Sequence, residues 1–199
     1  MKPESNNIQD YLQITPIIDW DNPAILEKLS ELTKELKYDV DKACCLYEWV
    51  RDIIPHSKDI NANIVTCKAS EVLLKRTGTC YSKTILLAAM LRAEKIPTGF
   101  CYQVLRQDPP LEGTILHALN GIFIPSIKKW IRVDPRGNSD SLDGQFSIDN
   151  EKLCFPIESE KSVLIYETIY IDPAPVVVNM LMRFDNLNEM LQYLPERID

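Results

Sequence analysis

The sequence predicts an α+β fold in which helices come first, strands follow and a last helix closes the chain. Apolar residues recur every three or four positions through residues 23–95, which is the spacing of helices with one buried face. From residue 98 to residue 170 the chain instead offers short runs rich in β-branched and aromatic residues, separated by Pro, Gly and Asp. Helices that precede the strands in this way favour a mainly antiparallel sheet over alternating βαβ units.

Length and composition indicate a single domain over residues 1–199. Hydrophobic residues make up 45% and charged residues 26% of the chain, which is ordinary for a soluble globular protein. The net charge of -7 argues against nucleic acid as a partner, because phosphate binding needs clustered Lys and Arg. No stretch has the length of a membrane span, and the first residues lack the apolar segment of a signal peptide. We therefore expect a cytoplasmic protein with no membrane partner, and the oligomeric state stays open.

Four helices are predicted before the strands. Their expected spans are about 23–37, 41–53, 70–76 and 80–95. Asp21 or Asn22 can cap the first, and Pro23 suits a first helical position. Pro55 stops the second helix, and Gly78 separates the third from the fourth.

The second half of the chain supplies the strands and the closing helix. The expected strands are "GFCYQVL", "LHALNGIFI", "KWIRVD" and "SVLIYETIY". Loops rich in Pro, Gly and Asp separate them. Residues 176–195 read as a continuous helix with Met and Leu on one face.

Cys80 lies directly behind a glycine turn and at the start of a helix, in the segment "TGTCYSK". A helix N-terminus carries about half a positive charge and several unpaired N–H groups, and both stabilise a thiolate, the nucleophilic form of cysteine. The backbone N–H of Cys80 is also placed to point at a developing oxyanion. A small residue that simply packs at a helix start is the plainer alternative. The other five cysteines, which are Cys44, Cys45, Cys67, Cys101 and Cys154, lack this setting.

Other uses of the six cysteines are disfavoured. Three disulfides are unexpected without a secretion signal. A zinc protein that uses Cys and His is the weakest alternative, because no C-x-x-C spacing is present. The carboxylates of "DGQFSIDNEK" do not follow the spacing of a calcium loop. We therefore predict no metal and no cofactor.

A cysteine nucleophile needs a base, and the chain has only two histidines, His56 and His117. His117 lies in an alternating, strand-like run, and the next predicted strand ends at Asp134. If the two strands form a hairpin, a two-residue loop places Asp134 directly across from His117. A four-residue loop places the two residues diagonally on the same face, and an odd loop separates them. In either even case Asp134 could orient the imidazole and stabilise its cation.

At this point the chain resembles a known family. The segments "GTCYSKTILLAAMLRAEKIPTGFCYQ", "LHALNGIFI" and "KWIRVDPRGN" resemble, in order and spacing, the transglutaminase-like superfamily. More closely, "VTCKASEVLLKRTGTCYSK", "GQF" and "DPAPVVV" are similar to a subgroup of small bacterial transglutaminase-like proteins, over about residues 40–180. The resemblance implies a papain-like fold, with the cysteine helix packed on an antiparallel sheet. It also implies Cys80 as nucleophile, His117 as base and Asp134 as orienting carboxylate.

Two positions depart from the pattern of that family. Lys95 stands where a glycine is usual, and Leu119 stands where many members carry a tryptophan in the substrate tunnel. The second oxyanion donor is not identified, and Gln103 and His56 are the polar residues that could reach the site.

The function expected from the resemblance is acyl transfer. The enzyme would hydrolyse a peptide or amide bond through a thioester, and an amine acceptor in place of water would make it a transferase. The substrate would be a peptide or an amide-containing small molecule. The alternative is a non-catalytic binding or scaffold module with an idle triad on the same fold.

Overall fold

A four-stranded antiparallel sheet forms the centre of the protein, and the predicted α+β class is confirmed. The computed structural model describes residues 1–198. Along the sheet the strand order is β4-β3-β2-β5. The strands are β2 (Thr98–Arg106), β3 (Thr114–Ile124), β4 (Lys129–Val133) and β5 (Ser162–Ile165). A separate parallel pair joins β1 (Lys2–Pro3) to β6 (Thr168–Ile169).

The four predicted N-terminal helices are all present. They are α1 (Pro23–Thr33), α2 (Asp39–Ile53), α3 (Ala69–Lys75) and α4 (Cys80–Ala93). Asn22 caps α1, since its side-chain oxygen accepts a hydrogen bond from the N–H of Ala24 at 3.0 Å. A short 3-10 helix at Ile8–Leu12 precedes them.

Helix α4 lies in the middle of the core. Every residue from Tyr81 to Arg92 is buried, so the helix is enclosed on all sides. The turn that follows places Lys95 in the left-handed conformation, with φ of 62°. A glycine would adopt this conformation more readily than Lys95 does, because a β-carbon makes it unfavourable.

The predicted continuous helix over residues 176–195 is wrong. The chain forms α5 (Pro175–Arg183), α6 (Leu187–Met190) and a 3-10 turn (Leu191–Tyr193). Phe184 breaks the run in an extended conformation, and the side chain of Asn186 accepts from the N–H of Glu189 at 3.2 Å to start a new helix. The helical spacing of the Leu and Met residues predicted one helix, and the cap at Asn186 inside it was overlooked.

One large buried cluster contains residues from every helix from α1 to α6 and from strands β2 to β4. The longest helix within residues 1–198 is α2, with 15 residues, and no helix there has both the length and the apolar character that a membrane crossing needs.

Candidate active site

Cys80 is the first residue of α4, and its half-buried side chain lines a cavity of about 330 Å³. The chain passes close to itself just before this residue. Ser57 donates its N–H to the carbonyl of Gly78 at 3.0 Å. A β-carbon on Gly78 would lie 2.6 Å from the hydroxyl oxygen of Ser82, so a larger residue there would have to displace that buried hydroxyl. The glycine turn therefore sets the position at which Cys80 enters the helix.

The hairpin of β3 and β4 brings His117 and Asp134 together. Its loop has four residues, 125–128, because Ile124 pairs with Lys129. This is the diagonal arrangement that the sequence left open. The distance between Nε2 of His117 and Oδ2 of Asp134 is 2.8 Å, and both side chains are buried, at 4% and 0% exposure.

The surroundings of His117 favour its charged form. Burial alone would lower the pKa of this imidazole, but the charge and hydrogen bond of Asp134 outweigh it. The neighbouring side chain of Cys80 adds to the effect, and the pKa of His117 rises to about 10. Since Nε2 is held by Asp134, Nδ1 is the nitrogen left to face the sulfur.

Asp134 is held in place from several directions. Oδ1 accepts the N–H of Arg136 at 3.0 Å, and the hydroxyl of Tyr47 donates to the backbone carbonyl of Asp134 at 3.1 Å. Burial tends to raise the pKa of this carboxyl, but the charge and hydrogen bond of His117 and the N–H of Arg136 lower it overall. The thiol of Cys154 lies near this carboxyl and donates to the carbonyl of Gly137 at 3.7 Å, a neighbour of the site to which the sequence analysis gave no role.

Lys83 is a second residue that the sequence reasoning missed. Its ammonium is fully buried and donates to the carbonyls of Arg51 at 3.2 Å and Arg136 at 2.9 Å, and also to that of Ile54. Burial lowers its pKa to about 7, although Asp134 opposes that shift. A lysine three residues after Cys80, inside an apolar helix, was the available signal. The amine fixes α4 to the end of α2 and to the turn after Asp134.

Gln103 does not reach the cavity, although it lies directly opposite His117 in the register of β2 and β3. Its side chain is fully buried, and its amide nitrogen donates to the carbonyl of Phe155 at 3.1 Å and to the hydroxyl of Ser162 at 2.9 Å. Phe155 in turn packs edge-on against the ring of His117 at 5.0 Å. Gln103 thus supports the imidazole indirectly and is not placed as an oxyanion donor.

His56 lies in the cavity together with Cys80 and His117. It pairs with Gly78 across an isolated parallel bridge, two residues before the cysteine. Its Nδ1 accepts the N–H of Lys58 at 3.3 Å, which leaves Nε2 to carry the ring proton. Burial and the charges of Arg136 and Lys83 hold the pKa of His56 well below its usual range. The ring is therefore a neutral hydrogen-bond donor at neutral pH.

The cavity has a polar and an apolar part. The polar lining includes His56, Lys58, Arg136, Ser139 and Ser141. The apolar lining includes Leu105, Ile115, Leu116, Leu191 and Leu194. Leu119 is not part of either, because it is fully buried in a separate small cluster with Tyr11 and Cys101.

All six cysteines are free thiols. In the part of the chain that the structure describes, no three His, Cys, Asp or Glu side chains are grouped as metal ligands would be.

A helix that begins at a cysteine and packs on an antiparallel sheet carrying a paired His and Asp defines the papain-like class of folds. Residues 27–135 match the family model of the transglutaminase-like superfamily, which is more than half of the 199 residues. The chain belongs to this superfamily. No curated protein matches it.

Two solved structures are similar to this chain. One is described as a "putative cysteine protease" from Cytophaga hutchinsonii, with 16% identity over 66% of this chain and a TM-score of 0.53. The other is described as a "putative protease" from Parabacteroides distasonis, with 15% identity over 75% of this chain and a TM-score of 0.41. The matches span 43% and 30% of those two chains, so this chain covers less than half of their length. At these identities the first likeness concerns the fold alone.

Proposed function

We propose that this protein is a cysteine-dependent acyl-transfer enzyme that cleaves a peptide or amide bond through a thioester on Cys80. The observation that carries the proposal is the position of the His117 ring, which bonds to buried Asp134 at 2.8 Å and lines the same cavity as Cys80, the first residue of α4. A protonated imidazole beside a sulfur at a helix N-terminus is the arrangement that activates a thiol.

The chemistry proceeds in two halves. The thiolate of Cys80 attacks the carbonyl carbon and forms a C–S bond, and Nδ1–H of His117 protonates the leaving nitrogen as the C–N bond breaks. Water then attacks the thioester while Nδ1 takes its proton. The C–S bond breaks, the acid leaves, and the thiolate and imidazolium are restored. An amine in place of water would make the same machinery a transferase.

The oxyanion formed in both halves needs two donors. The backbone N–H of Cys80 is one, because the first N–H groups of a helix have no partner within the helix. His56 is proposed as the other, since its Nε2 carries a proton, its ring is neutral, and it lines the same cavity. Asp134 keeps the imidazole of His117 in the tautomer that serves the sulfur.

Selective alkylation tests the nucleophile. An ordinary thiol is almost entirely protonated at pH 6, so we expect iodoacetamide to label Cys80 at least about 100-fold faster than the other five thiols. Mass spectrometry of peptides after short exposure would locate the label. Cys80→Ala should remove the fast reaction, and Cys45→Ala, which changes a half-buried thiol within α2, should leave it intact. Six equally slow thiols would instead favour a binding module with an idle triad.

His56→Leu is expected to lower turnover of the best substrate in a peptide-amide library by about 100-fold, the usual cost of one oxyanion donor. Alkylation of Cys80 by iodoacetamide should stay within about 3-fold of the parent, because displacement of iodide at a saturated carbon creates no oxyanion. His56→Gln keeps an N–H donor and should recover part of the turnover. If turnover and alkylation fall together, His56 shapes the surroundings of the sulfur and is not an oxyanion donor.

A further inference from the structure

The cavity at Cys80 differs in charge from the rest of the protein. The chain carries 22 Lys and Arg against 29 Asp and Glu, a net charge of -7. The cavity reverses this balance, because only one carboxylate, Asp108, lines it within residues 1–198. The cationic residues that line it are Lys58, Arg106, Arg136 and Lys161. Charge of one sign in a cleft with apolar surroundings focuses the field on whatever enters.

Two of the four cations have partners of their own. Arg136 forms a bidentate pair with Asp59 at 2.7 and 2.8 Å, and Lys161 pairs with Asp108 at 2.7 Å. These pairs neutralise part of the charge. Lys58 and Arg106 are exposed and make no ion pair with any residue that the structure describes.

The two unpaired cations come from different parts of the cavity lining. Lys58 follows His56 by two residues in the polar lining. Arg106 ends β2, three residues beyond Gln103, which is the register partner of His117. Three strand residues span about 10 Å, which is also the length of three residues of an extended peptide. A carboxylate near the scissile amide would thus be within reach of a free cation.

From this charge pattern we propose that the acyl donor is an acidic peptide, with a Glu or Asp side chain within about three residues of the amide that Cys80 attacks. The inference rests on the proposed function and specifies its substrate class. Lys58 and Arg106 hold the carboxylate, and the apolar lining takes the neighbouring aliphatic part of the peptide. A basic peptide is excluded by repulsion from the same cations.

A pair of alkylating probes tests the substrate class without a known substrate. N-iodoacetyl-glutamate α-amide and N-iodoacetyl-glutamine α-amide have the same shape and differ by one charge. Each reacts with Cys80 by forming an S–C bond and releasing iodide. We expect the glutamate probe to label Cys80 about 3- to 10-fold faster at low salt, and this ratio to approach one in 0.5 M NaCl because salt screens the attraction.

Charge-removing variants assign the preference to residues. The double variant Lys58→Gln, Arg106→Gln should lower the ratio of the two rates at least about 3-fold. Lys37→Gln removes an exposed lysine outside the cavity and should leave the ratio unchanged. A ratio of one in the parent protein would overturn the acidic substrate class. A ratio that survives in the double variant would overturn the role of these two cations.

The two proposals fail in different ways. If the glutamine probe labels Cys80 rapidly but the glutamate probe has no advantage, the thiol enzyme stands and the acidic substrate does not. If neither probe labels Cys80 faster than the other thiols, the proposed function itself fails, and the substrate class with it.

Discussion

His117→Ala is expected to slow alkylation of Cys80 at pH 6 by about 100-fold and to lower amide turnover by about 10⁴-fold. The alkylation effect follows because the imidazolium that stabilises the thiolate is gone. Turnover falls further, since the leaving nitrogen also loses its proton donor. Mass spectrometry after timed exposure to iodoacetamide would measure the alkylation rate of Cys80. The peptide-amide library would measure turnover on the same preparation.

His117→Ala also leaves the buried carboxylate of Asp134 unpaired, so the stability of the variant has to be measured as a control. Breaking a buried pair costs about 3 to 5 kcal/mol, which urea unfolding monitored by circular dichroism would reveal. His117→Gln offers a matched comparison, because its amide can donate to Asp134 but cannot carry a proton at neutral pH. We expect His117→Gln to be better folded than His117→Ala and equally inactive. Unchanged alkylation in a folded variant would make His117 a structural residue and the mechanism wrong.

Asp134→Asn is expected to lower turnover at pH 7 by about 10³-fold. The neutral amide no longer raises the pKa of His117 from its ordinary value near 6.5 to about 10, so less imidazolium is present to protonate the leaving group. The amide can also present its NH₂ group to Nε2 and favour the wrong tautomer. The alkaline limb of the pH–rate profile should therefore move to lower pH. Asp143→Asn removes a half-exposed carboxylate paired with Lys152 and should leave the profile unchanged.

The same substitution has a defined effect on stability. Because the pKa of folded His117 is raised, the pair contributes fully below about pH 6.5, and the contribution disappears as the pH rises through about 10. Because the pKa of folded Asp134 is lowered, the contribution is also lost as the pH falls below the ordinary value of 3.8. We expect Asp134→Asn to be less stable by about 3 kcal/mol between about pH 3.8 and pH 6.5, and the difference from the parent to shrink as the pH rises to 10. A constant difference across this range would contradict the charged pair.

The sequence predicted the elements that hold the candidate site because their signals are local. A glycine turn before an apolar helix identified the start of α4, and alternation identified β3. The register of β3 and β4 could not be read in the same way, because loops of two and four residues both keep His117 and Asp134 on one face. Only the pairing of Ile124 with Lys129 decides between them.

The contacts that support the candidate site could not be predicted from the sequence, for a related reason. Cys154 and Lys83 meet Asp134 and its turn through contacts between residues far apart in the chain, and no local pattern encodes such contacts. The prediction of one helix over residues 176–195 failed because two local sequence signals conflict there. A helical period of Leu and Met continues through Phe184, but the cap at Asn186 starts a new helix and so redirects the chain toward the cavity.

The buried amine of Lys83 has a consequence for any attempt to transplant this chemistry. It joins the carbonyls of residues 51, 54 and 136 to helix α4, so the helix that begins at Cys80 and the turn after Asp134 are held together by one buried side chain. Grafting a cysteine, a histidine and an aspartate onto another scaffold would copy the proposed reacting groups without the buried lysine that fixes their relative positions. A transplant of the proposed site would therefore have to carry four side chains, and the fourth, Lys83, does not line the cavity.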